Sequence, residues 1–411
     1  MSFFSDLVST VFERRYRAVL PDEEDSRTIE ELCTDLLGRH GEVSGAILAR
    51  NILDRYAQMS TDEKCRFFEF MTRELDIDAE AVQVTLKAYG DAPSKQSYRA
   101  FAQASEPQRQ ELTRRLNQVP GATGQLVAMR KDLLDLIPDH PGLEPLDVDL
   151  KHLFSSWFNR GFLVLRPITW ASPADILEKI IAYEAVHAID SWDELRRRVE
   201  PSDRRCFGFF HPAMADEPLI FVEVALTRGI PSSVQGLLTD AREVIEAEGA
   251  DTAVFYSISN CQAGLAGISF GNSLIKQVAA DLSRALPAIS SFVTLSPIPG
   301  LNGWLNDQGI DPDEDEQRDA RAAHYLLQAK RSDGMPVDPV ARFHLGNGAM
   351  VHAVHAGADT SSNGLAQSGG VMVNYLYDLS HIAQNHEQFV TDKTVVASAE
   401  VRALAATAAA A

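Results

Sequence analysis

The positions of the strand signals divide this chain into two parts with different secondary structure. The first part carries helix signals almost throughout, including capping boxes that pair Thr28 with Glu31, Ser60 with Glu63, and Ser105 with Gln108. Segments such as CRFFEFMTREL place apolar residues three and four apart, as amphipathic helices do. The sequence therefore predicts an all-helical domain over residues 1–140. It offers no constellation of catalytic residues, so we expect it to serve packing or self-association.

Strand-like runs begin after a segment rich in prolines and acids, PDHPGLEPLDVDLK (138–151), which is typical of a linker. Helical stretches lie between several of these runs, a pattern that predicts an α/β domain with a central sheet over residues 141–411. The chain as a whole is thus predicted to be an α+β multidomain protein. The runs are CFGFF (206–210), LIFVEVAL (219–226), TAVFYSIS (252–259), SFVTL (291–295) and AMVHAVHA (349–356).

Composition and charge narrow the classes of function. A formal net charge of −20 disfavours binding to nucleic acid or to anionic membranes, because both polyanions would be repelled. No apolar run approaches the ~18 residues that a membrane span needs. Acidic residues near the N-terminus argue against a leader peptide, and the spacing of the cysteines against a zinc site, so we expect a cytoplasmic chain with reduced thiols. The cysteines are Cys33, Cys65, Cys206 and Cys261.

A loop with three glycines, Gly264, Gly267 and Gly271, joins a predicted strand to a predicted helix. Glycine lets the backbone approach a ligand closely, and the N–H groups of a first helical turn attract phosphate. The spacing matches neither the dinucleotide fingerprint nor a P-loop, so NAD and ATP are not indicated. On the residues alone, a phosphate site and a plain connecting loop both stay open. The same holds for Lys276, which is either a phosphate contact or a surface lysine.

Two further segments carry a serine and a histidine of interest. Ser296, in TLSPIPG, is either the polar end of a strand that Pro297 closes or a hydroxyl held for chemistry. The G-x-S-x-G elbow is missing, so an acyl-enzyme serine is not indicated. His344, in RFHLGNGAM, has apolar neighbours, a setting typical of a structural histidine. His352 and His355 are three apart, which on a strand directs them to opposite faces and argues against a metal pair.

Taken together, several separate blocks in this chain resemble the malonyl-CoA decarboxylase family. The likeness covers most of the chain, with the first part similar to the family's helical domain and the second to its catalytic domain, whose fold resembles the acyl-CoA-binding GNAT fold with a mixed central sheet. A supporting match is EAVH (184–187). The main blocks are FYSIS (255–259), GLAGISFGNSLIK (264–276), LSPIPG (295–300), RFHLGNGA (342–349) and NYLYDL (374–379).

The resemblance implies that the chain converts malonyl-CoA to acetyl-CoA and carbon dioxide. Ser296 and His344 would be the catalytic pair, with Tyr377 and Ser257 lining the same pocket. No metal or organic cofactor is implied, because the thioester carbonyl of the substrate can accept the electrons of the breaking bond; CoA is part of the substrate. The CoA pyrophosphate would bind at the Gly-rich loop and the helix behind it. This assigns binding roles to Ala266, Gly267, Ile268, Ser269, Phe270, Gly271, Asn272 and Ile275.

One position departs from the family pattern. Some members carry an acidic residue where this chain has Ser269, so an acidic group that orients the catalytic pair is either lacking here or supplied elsewhere.

Two other functions would share these features. A GNAT-type acyltransferase would move the acyl group of an acyl-CoA to an amine, and would depend on that amine. A non-catalytic malonyl-CoA sensor would bind tightly without turnover, and it would need only the Gly-rich loop. The presence of both TLSPIPG and RFHLGNGA therefore favours the decarboxylase. The resemblance also leads us to expect a homo-oligomer formed through the helical domain.

Overall fold

The computed structural model describes residues 25–38, 41–268, 274–312 and 317–409. The N-terminal segment, on which the expectation of no leader rests, lies outside the described residues. The chain folds into two compact units. Unit 1 comprises the described residues within three ranges, Met1–Phe162, Pro212–Ala215 and Gln262–Ser269. Unit 2 comprises those of Leu163–His211, Asp216–Cys261 and Phe270–Ala411.

Unit 1 is helical, as the capping signals and the apolar spacing predict. Its interior is built from apolar side chains at helical spacing, such as Leu32, Phe67, Phe68 and Leu133, each no more than 1% exposed. Its α-helices are α1 (Ile29–Leu37), α2 (Glu42–Gln58), α3 (Thr61–Arg73), α4 (Ala79–Asp91), α5 (Lys95–Ala104), α6 (Gln108–Leu116), α7 (Ala122–Leu136) and α8 (Glu144–Trp157).

Two of the three predicted capping boxes form, at the starts of α1 and α3. The third, Ser105 with Gln108, is wrong. Ser105 ends α5, where its hydroxyl donates to the carbonyl of Phe101 at 2.8 Å, and α6 begins after Pro107. A serine can bond back to a carbonyl one turn earlier as readily as it caps the next helix, and the sequence does not distinguish the two.

The proline-rich segment 138–151 is helical and not a linker. A short 3-10 turn at Pro141–Leu143 leads into α8. Pro145 stands in the first turn of that helix, where its missing N–H costs nothing, and Leu146 and Leu150 are buried. The apolar residues at helical spacing therefore outweigh the proline signal.

Unit 2 contains one mixed sheet in the described part of the chain, with strand order β1-β2-β3-β4-β5-β8-β6 and with β7 paired to β8. The pairing of β4 with β5 is parallel, and β3 with β4 is antiparallel. The five predicted strands are present; β1, β6 and β8 were not predicted. The strands are β1 (Val164–Ile168), β2 (Arg204–His211), β3 (Met214–Thr227), β4 (Thr252–Asn260), β5 (Ser291–Thr294), β6 (Ser296–Pro297), β7 (Met350–His355) and β8 (Met372–Leu376).

The sheet of unit 2 is packed with helices, and an apolar cluster that includes Phe255, Val278, Leu326 and Val373 fills the space between them. This confirms the predicted fold class of a helical part followed by an α/β part with a mixed sheet. No helix in the described ranges is long and apolar enough to cross a membrane. The helices are α9 (Ala174–Tyr183), α10 (Trp192–Val199), α11 (Val234–Leu238), α12 (Leu274–Ala285), α13 (Leu301–Asp307), α14 (Arg318–Gln328), α15 (Pro339–Gly346), α16 (Ser362–Ser368), α17 (Ile382–Asp392) and α18 (Ala399–Ala409).

Strands β4 and β5 separate in the middle of the sheet. Their parallel pairing ends at Phe255 with Thr294, and the N–H of Leu295 still donates to the carbonyl of Phe255 at 3.0 Å. Beyond that point β4 continues along β3 to Asn260. The residues that follow β5 instead pair with β8, beginning at Ser296. Ser296 therefore lies where two neighbouring strands diverge.

Candidate catalytic site

Ser296 is the first residue of β6 and is only 6% exposed. Its Oγ lies 3.2 Å from Nε2 of His344, which is 48 residues later in the chain. The same Oγ donates a hydrogen bond to Oγ1 of Thr294 at 2.9 Å. The serine and histidine that the sequence singled out are thus within hydrogen-bond reach of each other.

His344 lies in the last turn of α15, a helix that begins at Pro339 with Asp338 as its N-cap. One carboxylate oxygen of Asp338 accepts the N–H of Ala341 at 2.7 Å, which fixes the start of the helix. The imidazole stacks on the ring of Tyr375, with centroids 4.5 Å apart and planes 24° apart. Packing therefore holds His344, which is 3% exposed, in one orientation.

Tyr377 contacts the other nitrogen of the same imidazole. Its Oη lies 2.8 Å from Nδ1 of His344, at the position that a carboxylate holds in a Ser-His-Asp triad. Burial lowers the pKa of His344 to about 3. Burial also raises the pKa of the Tyr377 hydroxyl well above its usual value. Both groups are therefore neutral near pH 7.

The direction of the bond from Ser296 to Thr294 favours one tautomer of His344. A serine hydroxyl has one proton, and that of Ser296 is donated to Thr294. With that bond as drawn, the consistent arrangement has the ring proton on Nε2 of His344, donated to Ser296, and Nδ1 accepting from the hydroxyl of Tyr377. The resting site is a chain of donors that runs from Tyr377 through His344 and Ser296 to Thr294.

Ser257 contacts a different group of polar residues. Its Oγ lies 2.9 and 2.7 Å from the two carboxylate oxygens of Glu184, which share its one proton, and 3.3 Å from Oγ of Ser259. Glu184 follows α9 and also accepts the N–H groups of Val186 and His187. No described hydrogen bond joins Ser257 to the serine–histidine pair. The signal for Glu184 in the sequence is its place in the EAVH block, which by itself indicates no role.

The described part of the Gly-rich loop belongs to unit 1 and packs on α7. A Cβ on Gly264 would lie 1.9 Å from the carbonyl oxygen of Val127, so only glycine fits there. The guanidinium of Arg130 donates to the carbonyls of Gly264 and Ala266, at 2.7 and 3.0 Å. Ile268 is 7% exposed. These contacts hold residues 264–266 in a fixed conformation.

Gly267 has φ of +72°, a backbone conformation that favours glycine. The ammonium of Lys151, on α8, lies 3.2 Å from where a Cβ of Gly267 would be. Lys151 carries no signal in the sequence, because nothing there relates α8 to this loop. The loop thus has a cation beside its exposed backbone.

The remaining predicted binding residues fall into two groups. Ile275 is buried in α12, within the apolar interior of unit 2. Ser269, Phe270, Gly271 and Asn272 lie outside the described residues.

Unit 1 contains one described cluster of metal-ligating side chains. Cys65, Glu69 and His140 place one ligand atom each within 4.8 Å of one another. Burial, Glu69 and Asp62 raise the pKa of the Cys65 thiol, so the thiolate that a metal requires is disfavoured. The cluster does not favour a metal site.

Two family models match this chain, and together they extend from residue 75 to residue 411. The "Malonyl-CoA decarboxylase N-terminal domain" matches residues 75–158, and the "Malonyl-CoA decarboxylase C-terminal domain" matches residues 161–320 and 315–411.

Individual proteins agree with these models. A mitochondrial malonyl-CoA decarboxylase of Mus musculus is 30% identical over 436 residues, covering 93% of this chain and 87% of the relative. Crystal structures of malonyl-CoA decarboxylases from Agrobacterium vitis and Rhodopseudomonas palustris are 48% and 46% identical. Both have a TM-score of 0.87; they cover 92% and 91% of this chain, and 99% and 98% of their own chains are matched. The chain belongs to the malonyl-CoA decarboxylase family of enzymes.

Proposed function

We propose that this chain decarboxylates malonyl-CoA to acetyl-CoA and carbon dioxide, with Ser296 and His344 as the catalytic pair. The observation that supports these two residues most is the 3.2 Å contact between Oγ of Ser296 and Nε2 of His344, both buried, at the point where β4 and β5 separate. Where the two strands diverge, their unpaired backbone groups can form hydrogen bonds to the extended arm that carries the thioester. The serine and the histidine next to them can donate and accept protons.

The substrate brings its own electron sink, so the proposed reaction needs no cofactor. The bond between the malonyl methylene carbon and the carboxylate breaks, and its electron pair becomes an enolate on the thioester. Carbon dioxide leaves, and the methylene carbon then gains one proton to become the methyl group of acetyl-CoA. Per turnover, one proton is taken up from solvent, which balances the loss of the carboxylate charge.

Ser296 would bind the malonyl carboxylate, and His344 would supply the proton. In the occupied site the hydroxyl of Ser296 turns from Thr294 to the substrate, while Nε2–H of His344 continues to donate to Ser296. After carbon dioxide leaves, the enolate carbon takes a proton from Ser296 or Nε2, and solvent restores it. Tyr377, at 2.8 Å from Nδ1, can compensate the charge that develops on the ring.

The surroundings of the pair favour loss of the carboxylate. His344 is enclosed by the rings of Phe343, Tyr375 and Tyr377, with centroids 5.1, 4.5 and 6.1 Å from its own. A carboxylate brought next to these rings exchanges water for apolar surface, whereas carbon dioxide is uncharged and does not need water. The transition state, in which charge spreads onto the thioester, is therefore less penalised than the ground state.

We assign the CoA phosphates to the Gly-rich loop and to Lys151. Gly267 exposes backbone at φ of +72°, and the Lys151 ammonium lies beside it. An ammonium next to exposed glycine backbone is a common arrangement for holding a phosphate. Arg130, which is 1% exposed, would act from beneath by fixing the carbonyls of the loop.

The activity is tested by incubation with malonyl-CoA alone. We expect acetyl-CoA and carbon dioxide in equal amounts without any amine, and replacement of Ser296 or His344 by alanine should lower kcat by about 10²–10⁴-fold. Circular dichroism and thermal unfolding show whether each variant is folded. Strict dependence on an amine acceptor would point instead to an acyltransferase, and near-normal turnover in both variants would remove them from the mechanism.

We also infer that unit 1 mediates self-association. Helices α4 and α5 bury none of their residues, although they carry apolar side chains such as Val84 (63% exposed) and Tyr98 (57% exposed). A second copy of the chain would cover that surface. The cytoplasmic location stays a prediction from the sequence.

A further inference from the structure

Thr294 lies at the end of the hydrogen-bonded chain that contains the catalytic pair. It is 0% exposed and belongs to β5. Its Oγ1 accepts two hydrogen bonds, from the hydroxyl of Ser296 at 2.9 Å and from the backbone N–H of Tyr375 at 3.2 Å. The second bond comes from a strand backbone that cannot turn away. The lone pairs of Thr294 are thus fixed in place, and one of them faces Ser296.

The acceptor on Thr294 bears on the direction of every hydrogen bond in the series from Tyr377 through His344 to Ser296. With its proton committed to Thr294, Ser296 presents a lone pair to Nε2 of His344. We propose that Thr294 is a positioning residue that sets the Nε2–H tautomer of His344 before substrate binds, so that the histidine already faces Ser296 with a proton, and not with a lone pair, when Ser296 turns to the substrate. The inference rests on the proposed function, in which that proton reaches the enolate.

Without the acceptor, the hydrogen bonds among Ser296, His344 and Tyr377 can all run in the opposite direction. The hydroxyl of Ser296 would then donate to Nε2 of His344, the ring proton would sit on Nδ1, and Tyr377 would accept it. A neutral imidazole in that form accepts a proton from Ser296, as in a serine hydrolase, and has none to give to an enolate. The direction of the hydrogen bonds, and not only their presence, therefore matters for this reaction.

The experiment compares Thr294→Val, which removes the hydroxyl at nearly constant shape, with Thr294→Ser, which keeps it. We expect Thr294→Val to lower kcat about 10–100-fold while KM changes less than about twofold, since the loss affects proton delivery. Thr294→Ser should retain most of kcat. In parallel, two-bond proton–nitrogen NMR of protein with labelled histidine reports which ring nitrogen is unprotonated. The signals of His344 are those that disappear in His344→Ala.

In the wild type we expect the unprotonated nitrogen of His344 to be Nδ1, and in Thr294→Val to be Nε2. A wild type with the proton on Nδ1 overturns the proposal directly, even if Thr294→Val does not fold. Loss of kcat in Thr294→Val without a change of tautomer, or an equal loss in Thr294→Ser, shows that Thr294 acts through packing and also overturns it. The NMR measurement needs no turnover, so it tests Thr294 even if the chain does not decarboxylate malonyl-CoA.

Discussion

At the scale of single residues, the hydrogen-bond partners of His344 among the described residues are hydroxyl groups and not carboxylates. Tyr377 contacts Nδ1 of His344, and the ring of Tyr375 covers one face. An acidic partner would favour the imidazolium, whereas a tyrosine hydroxyl leaves the ring neutral. A neutral ring suits a site that must bind a carboxylate and then destabilise it, because a fixed positive charge would stabilise the ground state most.

The low pKa of His344 predicts how stability depends on pH. Its pKa falls from 6.5 to about 3 on folding because of burial, so between these values the unfolded chain binds one more proton than the folded one. Stability should therefore decrease as pH falls below 6.5, by about 1.4 kcal/mol for each pH unit, and this contribution is absent above it. Urea unfolding of wild type and His344→Gln at about pH 5 and about pH 8 measures it. The wild type should lose about 2 kcal/mol more than the variant at the lower pH. If the difference in unfolding free energy between wild type and His344→Gln is the same at both pH values, His344 is not a buried neutral histidine.

Lys151 gives a prediction about substrate binding. If its ammonium contacts a CoA phosphate beside Gly267, replacement by alanine should raise KM for malonyl-CoA about 5–20-fold and leave kcat nearly unchanged, because the phosphate is remote from the reacting carbon. Lys87, an exposed lysine of unit 1 paired with Asp91, is the matched control and should have no effect when changed to alanine. Steady-state kinetics measure both variants. An unchanged KM in Lys151→Ala would exclude the assigned contact.

At the scale of elements, the catalytic pair depends on one short strand and one short helix. Strand β6 is two residues long, and Pro297 and Pro299 follow Ser296 directly. Proline limits the backbone after the serine. Gly300 then brings the chain against the buried ring of Tyr325 on α14, since a Cβ there would lie 2.4 Å from Oη of Tyr325. The end of LSPIPG is thus anchored by a close contact that only glycine permits.

This contact predicts opposite outcomes for two nearby glycines. Gly300→Ala should lower the free energy of unfolding by about 1–3 kcal/mol, because the methyl group collides with Tyr325. Gly303→Ala, in the middle of α13 with no atom within 4 Å of the added Cβ, should raise it by about 0.5–1 kcal/mol. Urea unfolding of the two variants measures the difference. Equal stability of both would show that the backbone at Gly300 moves away without cost.

At the scale of the whole molecule, the hairpin of α4 and α5 is the least buried pair among the described helices of unit 1. Its aromatic residues contact one another, with Tyr89 5.8 Å from Tyr98 and 6.4 Å from Phe101 between ring centroids. Neither helix buries a residue. An amphipathic hairpin with this much apolar exposure is typical of a surface that another chain covers.

The proposed self-association can be tested on this hairpin. The variant with Val84→Glu and Tyr98→Glu should show a lower molar mass than the wild type in size-exclusion chromatography with light scattering, because buried unpaired carboxylates would oppose the contact. Leu365→Glu, an equally exposed apolar residue of unit 2, is the control and should leave the mass unchanged. A monomeric wild type, or a hairpin variant of unchanged mass, would contradict the proposal.

What the sequence determined by itself was the kind of structure in each part of the chain. Apolar spacing and caps are local, so the helices of unit 1 and five strands of unit 2 were predictable, and so was the family from its separate blocks. The errors arose where one residue type has two local uses, as with Ser105, or where prolines stand in the first turn of a helix, as in α8.

Only the tertiary structure decided which residues meet. Ser296 and His344 are 48 residues apart, Tyr377 another 33, and sheet pairing together with the packing of α15 brings them into one hydrogen-bonded chain. It also separated Ser257, which bonds to Glu184, from these hydrogen bonds. It added Thr294, which begins TLSPIPG but had been given no role, and Lys151, which no motif marks. The reason is physical: a motif records the residue types that chemistry requires, whereas the direction of a hydrogen bond depends on every neighbour that donates or accepts, and those neighbours are set by the fold.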